Sequence, residues 1–104
     1  MPPTTDSIRA FLDYLSHEAA ASPLTIEIYQ SDLRSFTAYA EERLGEPFVP
    51  SEGDLDLVRG WLSVKLDEGL KASTVGRCLT SVRSFYRHLL KTGQIKRNPI
   101  QALR

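Results

Sequence analysis

The chain has 104 residues, 41% hydrophobic and 25% charged, which is enough for one modest core and ordinary for a water-soluble globular domain. No apolar run approaches the roughly 18–20 residues needed to cross a bilayer, and Met1-Pro2-Pro3-Thr4-Thr5-Asp6 lacks the basic-then-apolar pattern of a secretory signal. The zero net charge hides a sorting: all 13 acidic residues lie in the first 70 positions with only Arg9, Arg34, Arg43, Arg59 and Lys65, while Lys71 to Arg104 carries eight cations and no acid. The two parts therefore hold about −8 and +8, and the basic third is a field to which a phosphate backbone responds. The single cysteine, Cys78, cannot close an internal disulfide. Placed among apolar helical residues, it reads as a core packer in a reducing cytoplasm.

Helical spacing dominates and no strand pattern emerges. A first helix is expected over about 7–18, with Ile8, Phe11, Leu12 and Leu15 on one face and Thr5 or Asp6 as cap. Ser22-Pro23 starts the second helix, which runs to Leu44 and stops at Gly45. Its seam is Ile26, Tyr29, Leu33, Phe36 and Ala40, three and four residues apart. Pro47, Pro50 and Gly53 make 46–53 a connector. The third helix is expected over about 54–68, with Leu55, Val58, Leu62 and Leu66 inward, Trp61 beside them and Gly69 as stop. The fourth is capped by Ser73 and runs to about Lys91, ahead of Gly93; Pro99 sets up a short fifth turn to Leu103. The expected fold is all-α, a compact bundle of four main helices in a single domain spanning 1–104.

On a wheel at 100° per residue, Val75, Cys78, Leu79, Val82, Phe85, Tyr86, Leu89 and Leu90 occupy an arc of about 140°. The opposite arc gathers Ser73, Thr74, Arg77, Thr80, Ser81, Ser84, Arg87, His88 and Lys91. It carries hydroxyls and cations without a carboxylate, whereas a solvated face usually mixes both signs for i,i+4 pairing. Arg forks onto phosphate or guanine, and Ser and Thr reach phosphate without bulk. Lys71 adds a cation just before the helix start. Arg83, at the margin of the apolar arc, is expected to hold the fold by pairing with a carboxylate such as Asp32 or by stacking on an aromatic ring. His17 and His88 form no Cys/His cluster, so no metal is expected. No phosphate loop or nucleophile constellation is present, and no cofactor or catalytic residue is assigned.

Phe11-Leu12-x-x-Leu15 is followed by Ser22-Pro23-x-Thr25-x-x-x-Tyr29-x-x-Asp32-Leu33-x-x-Phe36. Then come Ser73-Thr74-x-x-Arg77-x-Leu79-x-x-x-Arg83-Ser84-Phe85-Tyr86-x-x-Leu89, Gly93 and Asn98-Pro99. In order and spacing this resembles the N-terminal core-binding domain of tyrosine recombinases, Xer-type and phage-integrase-like. The resemblance implies a SAM-like bundle forming one jaw of a C-shaped clamp on recombination-site DNA. It also implies outer helices touching other recombinase protomers in a synaptic tetramer, and a catalytic domain following the Asn-Pro segment, beyond Arg104. It implies DNA-facing positions at Thr25 and Gln30 on the second helix and at Ser73, Thr74, Arg77 and Ser81 on the fourth; the charge pattern adds Lys71 and Arg87. The acidic second helix, with Glu27, Asp32, Glu41 and Glu42, departs from that picture and confines its DNA contact to the first turns. The isolated chain is expected to be monomeric, cytoplasmic and without enzymatic activity.

Two other readings remain open. Lys71-Ala-Ser-Thr-Val-Gly-Arg-Cys-Leu reads like the recognition helix of a helix-turn-helix transcriptional regulator. A helical protein-interaction module whose basic face docks an acidic partner is the third.

Overall fold

A computed structural model describes residues 4–101. Four helices form α1 (Thr4–His17), α2 (Pro23–Leu44), α3 (Leu55–Asp67) and α4 (Ala72–Lys91), with a 3₁₀ turn at Pro50–Glu52 between α2 and α3. The described residues contain no strand. The all-α bundle is therefore as expected.

The helix ends follow from local chemistry. Ser22 accepts the Thr25 N–H at 3.2 Å and Pro23 occupies the first turn, where its missing N–H costs nothing. Gly45 ends α2 at φ 71°, returning its N–H to the Glu41 carbonyl, a left-handed position that glycine enters without a Cβ clash. Asp54 caps α3 by accepting the Leu57 N–H at 2.8 Å. Two expected boundaries move. α1 begins at Thr4, and the cap position of α4 is Lys71, which makes no side-chain capping bond, so Ser73 lies inside the first turn.

α4 is the central element, packed against α1, α2 and α3 in turn. Phe11, Leu33, Phe36, Trp61, Phe85, Tyr86 and Leu89 are essentially sealed from solvent, and their rings meet at tilted and edge-on angles, as in Phe36–Trp61 at 5.4 Å and Phe11–Phe85 at 5.7 Å. On α3 the buried set is Leu57, Val58 and Trp61. Leu66, expected inward, is 52% exposed, because the helix rolls its middle rather than its end onto α4.

The connector between α2 and α3 is part of the core. Phe48 is buried against Phe36, its N–H bonds to Glu41 Oε2 at 3.0 Å, and its carbonyl accepts from the Thr4 hydroxyl. The Tyr86 hydroxyl donates to the Pro50 carbonyl at 2.7 Å. Burial, together with Asp54, raises the phenol pKa above its ordinary range, so the group remains a neutral donor. Gly53 lies so close to the Tyr86 hydroxyl that no Cβ fits there. After α4 the chain folds back, burying Ile95 and Ile100. The Ser7 hydroxyl reaches Gln94 Oε1 at 3.0 Å, and Asn98 Oδ1 accepts the Ile100 N–H at 3.0 Å. The expected fifth element is a hydrogen-bonded turn over 99–101; Leu103 lies outside the described residues.

Candidate nucleic-acid interface

The buried face of α4 comprises Val75, Cys78, Ser81, Val82, Phe85, Tyr86, His88 and Leu89. At 100° per residue its centre is turned about 50° from the arc expected from the apolar residues alone. Leu90 is pushed outward to 40% exposure, while Ser81 and His88 turn inward.

Asp32 explains the first half of this roll. It projects from α2 into the contact with α4, where its side chain is 7% exposed. Its Oδ1 accepts from Arg77 Nη2 at 2.9 Å and its Oδ2 from the Ser81 hydroxyl at 2.7 Å. A buried carboxylate requires such partners, and they come from successive turns of α4. The Cys78 sulfur lies 3.8 Å from the same carboxylate; burial first, then the Asp32 charge, raises the thiol pKa, and it packs in the core as a protonated side chain.

His88 accounts for the second half. It is buried between the Phe11 and Tyr14 rings, at centroid distances of 5.3 and 5.0 Å. Burial and the neighbouring Lys91 lower its pKa, partly opposed by Glu18. The uncharged imidazole serves as a third aromatic ring.

Asp32 is held by Arg77 and Ser81. These contacts correct two expectations. His88 leaves the polar face. Ser81, expected to face DNA, is 0% exposed, and its hydroxyl is committed to the carboxylate.

The other expected site residues divide by position. Lys71, Ser73, Arg77 and Arg87 lie on the exposed side of α4, with Thr80 and Lys91 between or beyond them; Thr74 is half-buried. Arg77 keeps 44% of its side chain exposed although one nitrogen is engaged by Asp32. Tyr29 shares a groove with Ser84 and Arg87, while Asp32, nearly a turn later, meets Ser81 and Arg77. α2 and α4 are therefore antiparallel, and Thr25 belongs near the Arg87 end. Its hydroxyl accepts from Ser22 Oγ at 2.9 Å. Gln30 is not brought to this face: it lines a groove between α1 and α2 with Arg9 and Arg34. It stands two positions from Asp32, so the two side chains point about 160° apart.

What emerges is a ridge of hydroxyls and cations on α4, about 21 Å from Ser73 to Arg87 at 1.5 Å per residue, flanked by the start of α2. No carboxylate lies on α4. The acid closest to the ridge, Asp32, is neutralised within its own ion pair. The hidden Asp32 was signalled by its place between Tyr29 and Phe36 on an apolar seam; which cations it would choose was not.

A four-helix domain with a basic, acid-free helix face along one side is the class that these features define. The chain belongs to the family described as the phage integrase N-terminal SAM-like domain, which it matches over residues 8–93. It is 38% identical over 103 residues to the tyrosine recombinase XerC of Pelobacter propionicus, covering 99% of this chain and 34% of that protein. It is 41% identical over 93 residues to XerC of Pelotomaculum thermopropionicum, covering 86% of this chain and 30% of that protein. With XerC of Rhodospirillum centenum the identity is 34% over 105 residues, covering 98% and 30%. The chain thus spans about a third of the length of these relatives, and these residues are the N-terminal domain without the catalytic one. No solved structure matches it. Among the described residues, no helix is long and apolar enough to cross a membrane.

Proposed function

We propose that this chain is the core-binding DNA-binding domain of a site-specific tyrosine recombinase, gripping duplex DNA through the exposed face of α4 and the start of α2. The observation that carries this reading is the α4 ridge. Arg77, Arg87 and Lys91 are exposed along one helix that has no acid of its own, with Lys71 at its cap position, an arrangement that attracts phosphate. Kinship with the XerC recombinases supports it, as does the length of the ridge, which spans about six nucleotide steps of 3.4 Å each.

In this reading residues 1–104 act as one domain and one jaw of a clamp. Strand cleavage and joining belong to the rest of the full-length recombinase, and outer helices meet neighbouring protomers in a synaptic tetramer. The isolated domain is monomeric, acts in the cytoplasm, and binds weakly, with little regard to sequence. Titrating a labelled duplex at several salt concentrations tests the claim. With roughly four to six phosphate contacts, log K falls against log salt with a slope of about −4 to −5. Affinity that is flat in salt contradicts DNA binding through this ridge.

A further inference from the structure

Asp32 has the wrong sign for a residue beneath a DNA-facing ridge. By Coulomb's law alone a carboxylate there repels phosphate, and removing it strengthens binding. Its geometry implies the opposite. We propose that Asp32 is a positioning residue for Arg77: it holds one edge of the guanidinium so that the other edge is presented to the duplex. This rests on the DNA-binding reading above.

Three observations support it. First, the hydrogen bonds of the Arg77 guanidinium run through Nη2, to Asp32 Oδ1 at 2.9 Å and to Cys78 Sγ at 3.8 Å, leaving Nη1 and Nε without a hydrogen-bond partner among the described residues. The planar fork allows this division; a lysine ammonium has no second edge. Second, Arg77 remains 44% exposed while Asp32 is only 7% exposed, so the pair is anchored at its buried end and open at its outer end. Third, the anchor is itself fixed. Ser81 donates to Asp32 Oδ2 at 2.7 Å and stays within 3.3 Å of the Arg77 carbonyl, tying the carboxylate to the turn that carries Arg77. An arginine held in this way has already lost the rotamer freedom that a phosphate or base contact would otherwise remove.

The experiment is a double-mutant cycle on duplex binding: wild type, Asp32→Asn, Arg77→Ala and the double variant. All are measured at low salt and at a temperature well below each protein's melting midpoint. Arg77→Ala is expected to weaken binding roughly tenfold. Asp32→Asn is expected to weaken it about threefold or more, although it removes one negative charge beside the ridge. In the Arg77→Ala background the same substitution is expected to cost nothing, or to tighten binding. Asp32→Asn binding as well as wild type, or better, overturns the proposal, and so does an equal loss in both backgrounds, which marks general damage to the fold. Arg77→Lys keeps the charge and does not depend on Asp32→Asn folding; it is expected to bind like Arg77→Ala, and wild-type affinity there also overturns the proposal. Wild type without salt-dependent duplex binding removes the underlying reading as well, which separates the two failures.

Discussion

Replacing Arg77 with alanine removes the outer member of an ion pair whose inner member is buried. From its place on the α4 wheel alone, the substitution is harmless to stability, within about 0.5 kcal/mol as for exposed sites. The structure gives another magnitude. A charge-assisted hydrogen bond at 2.9 Å to a carboxylate only 7% exposed is lost, which costs about 1.5–3 kcal/mol for charged partners. Two features hold the cost to the middle of that range: Arg77 is 44% exposed, so water screens the pair, and Asp32 keeps the Ser81 hydroxyl at 2.7 Å. A loss of about 2 kcal/mol lowers the melting midpoint by roughly 8–16 °C in a domain of this size. Thermal melts followed by circular dichroism measure it, with Arg87→Ala as the exposed control, expected to stay within about 0.5 kcal/mol of wild type. If Arg77→Ala melts with the control, Asp32 does not depend on Arg77, and the account of the α2–α4 contact is wrong.

Two further substitutions probe the packing. Gly53→Ala forces a Cβ onto the Tyr86 hydroxyl, breaking or straining its bond to Pro50, and is expected to cost roughly 1–3 kcal/mol as overpacking; an unchanged denaturation midpoint contradicts the close approach. The lowered pKa of His88 means that the folded state disfavours the imidazolium. Stability is then complete above the ordinary histidine value of 6.5 and declines as pH falls below it, where the unfolded chain binds more protons. Melts between about pH 8 and about pH 5 should show that decline in wild type and a shallower one in His88→Gln; equal slopes contradict it.

Much of the bundle was legible because local chemistry and tertiary packing agree. Ser22-Pro23 and Gly45 mark the ends of α2, and Leu33, Phe36 and Ala40 repeat at helical spacing on the buried seam. Disagreement arose where polar groups are buried in pairs. Apolar periodicity locates the centre of an arc only if polar residues stay out, and Ser81 and His88 do not. Their partners, Asp32 on α2 and the α1 rings Phe11 and Tyr14, are distant in sequence, so nothing local announces the roll of α4. Leu66 and Leu90 are the converse: apolar residues left exposed on α3 and α4. The segment from 46 to 53 read as a connector from its prolines, yet Phe48 and Pro50 are buried. Lys71, Ser73, Arg77 and Arg87 are exposed at the start of α4 and along it as the pattern suggested, while Gln30 lines the α1 groove because two helical positions carry it about 160° around α2 from Asp32.

The central claim is that the outward face of α4, with the start of α2, is the surface that meets duplex DNA. Backbone amide resonances of the isotope-labelled domain, followed during titration with a short duplex at low salt, test it most directly. The account predicts shifts concentrated at Thr25, Ser73, Thr74, Arg77, Thr80, Ser84 and Arg87, reversed by added salt, with Asp56, Arg59 and Ser63 on the exposed side of α3 undisturbed. Shifts centred on α3 or on the α1–α2 groove around Gln30, or none while binding is demonstrably present, would contradict it.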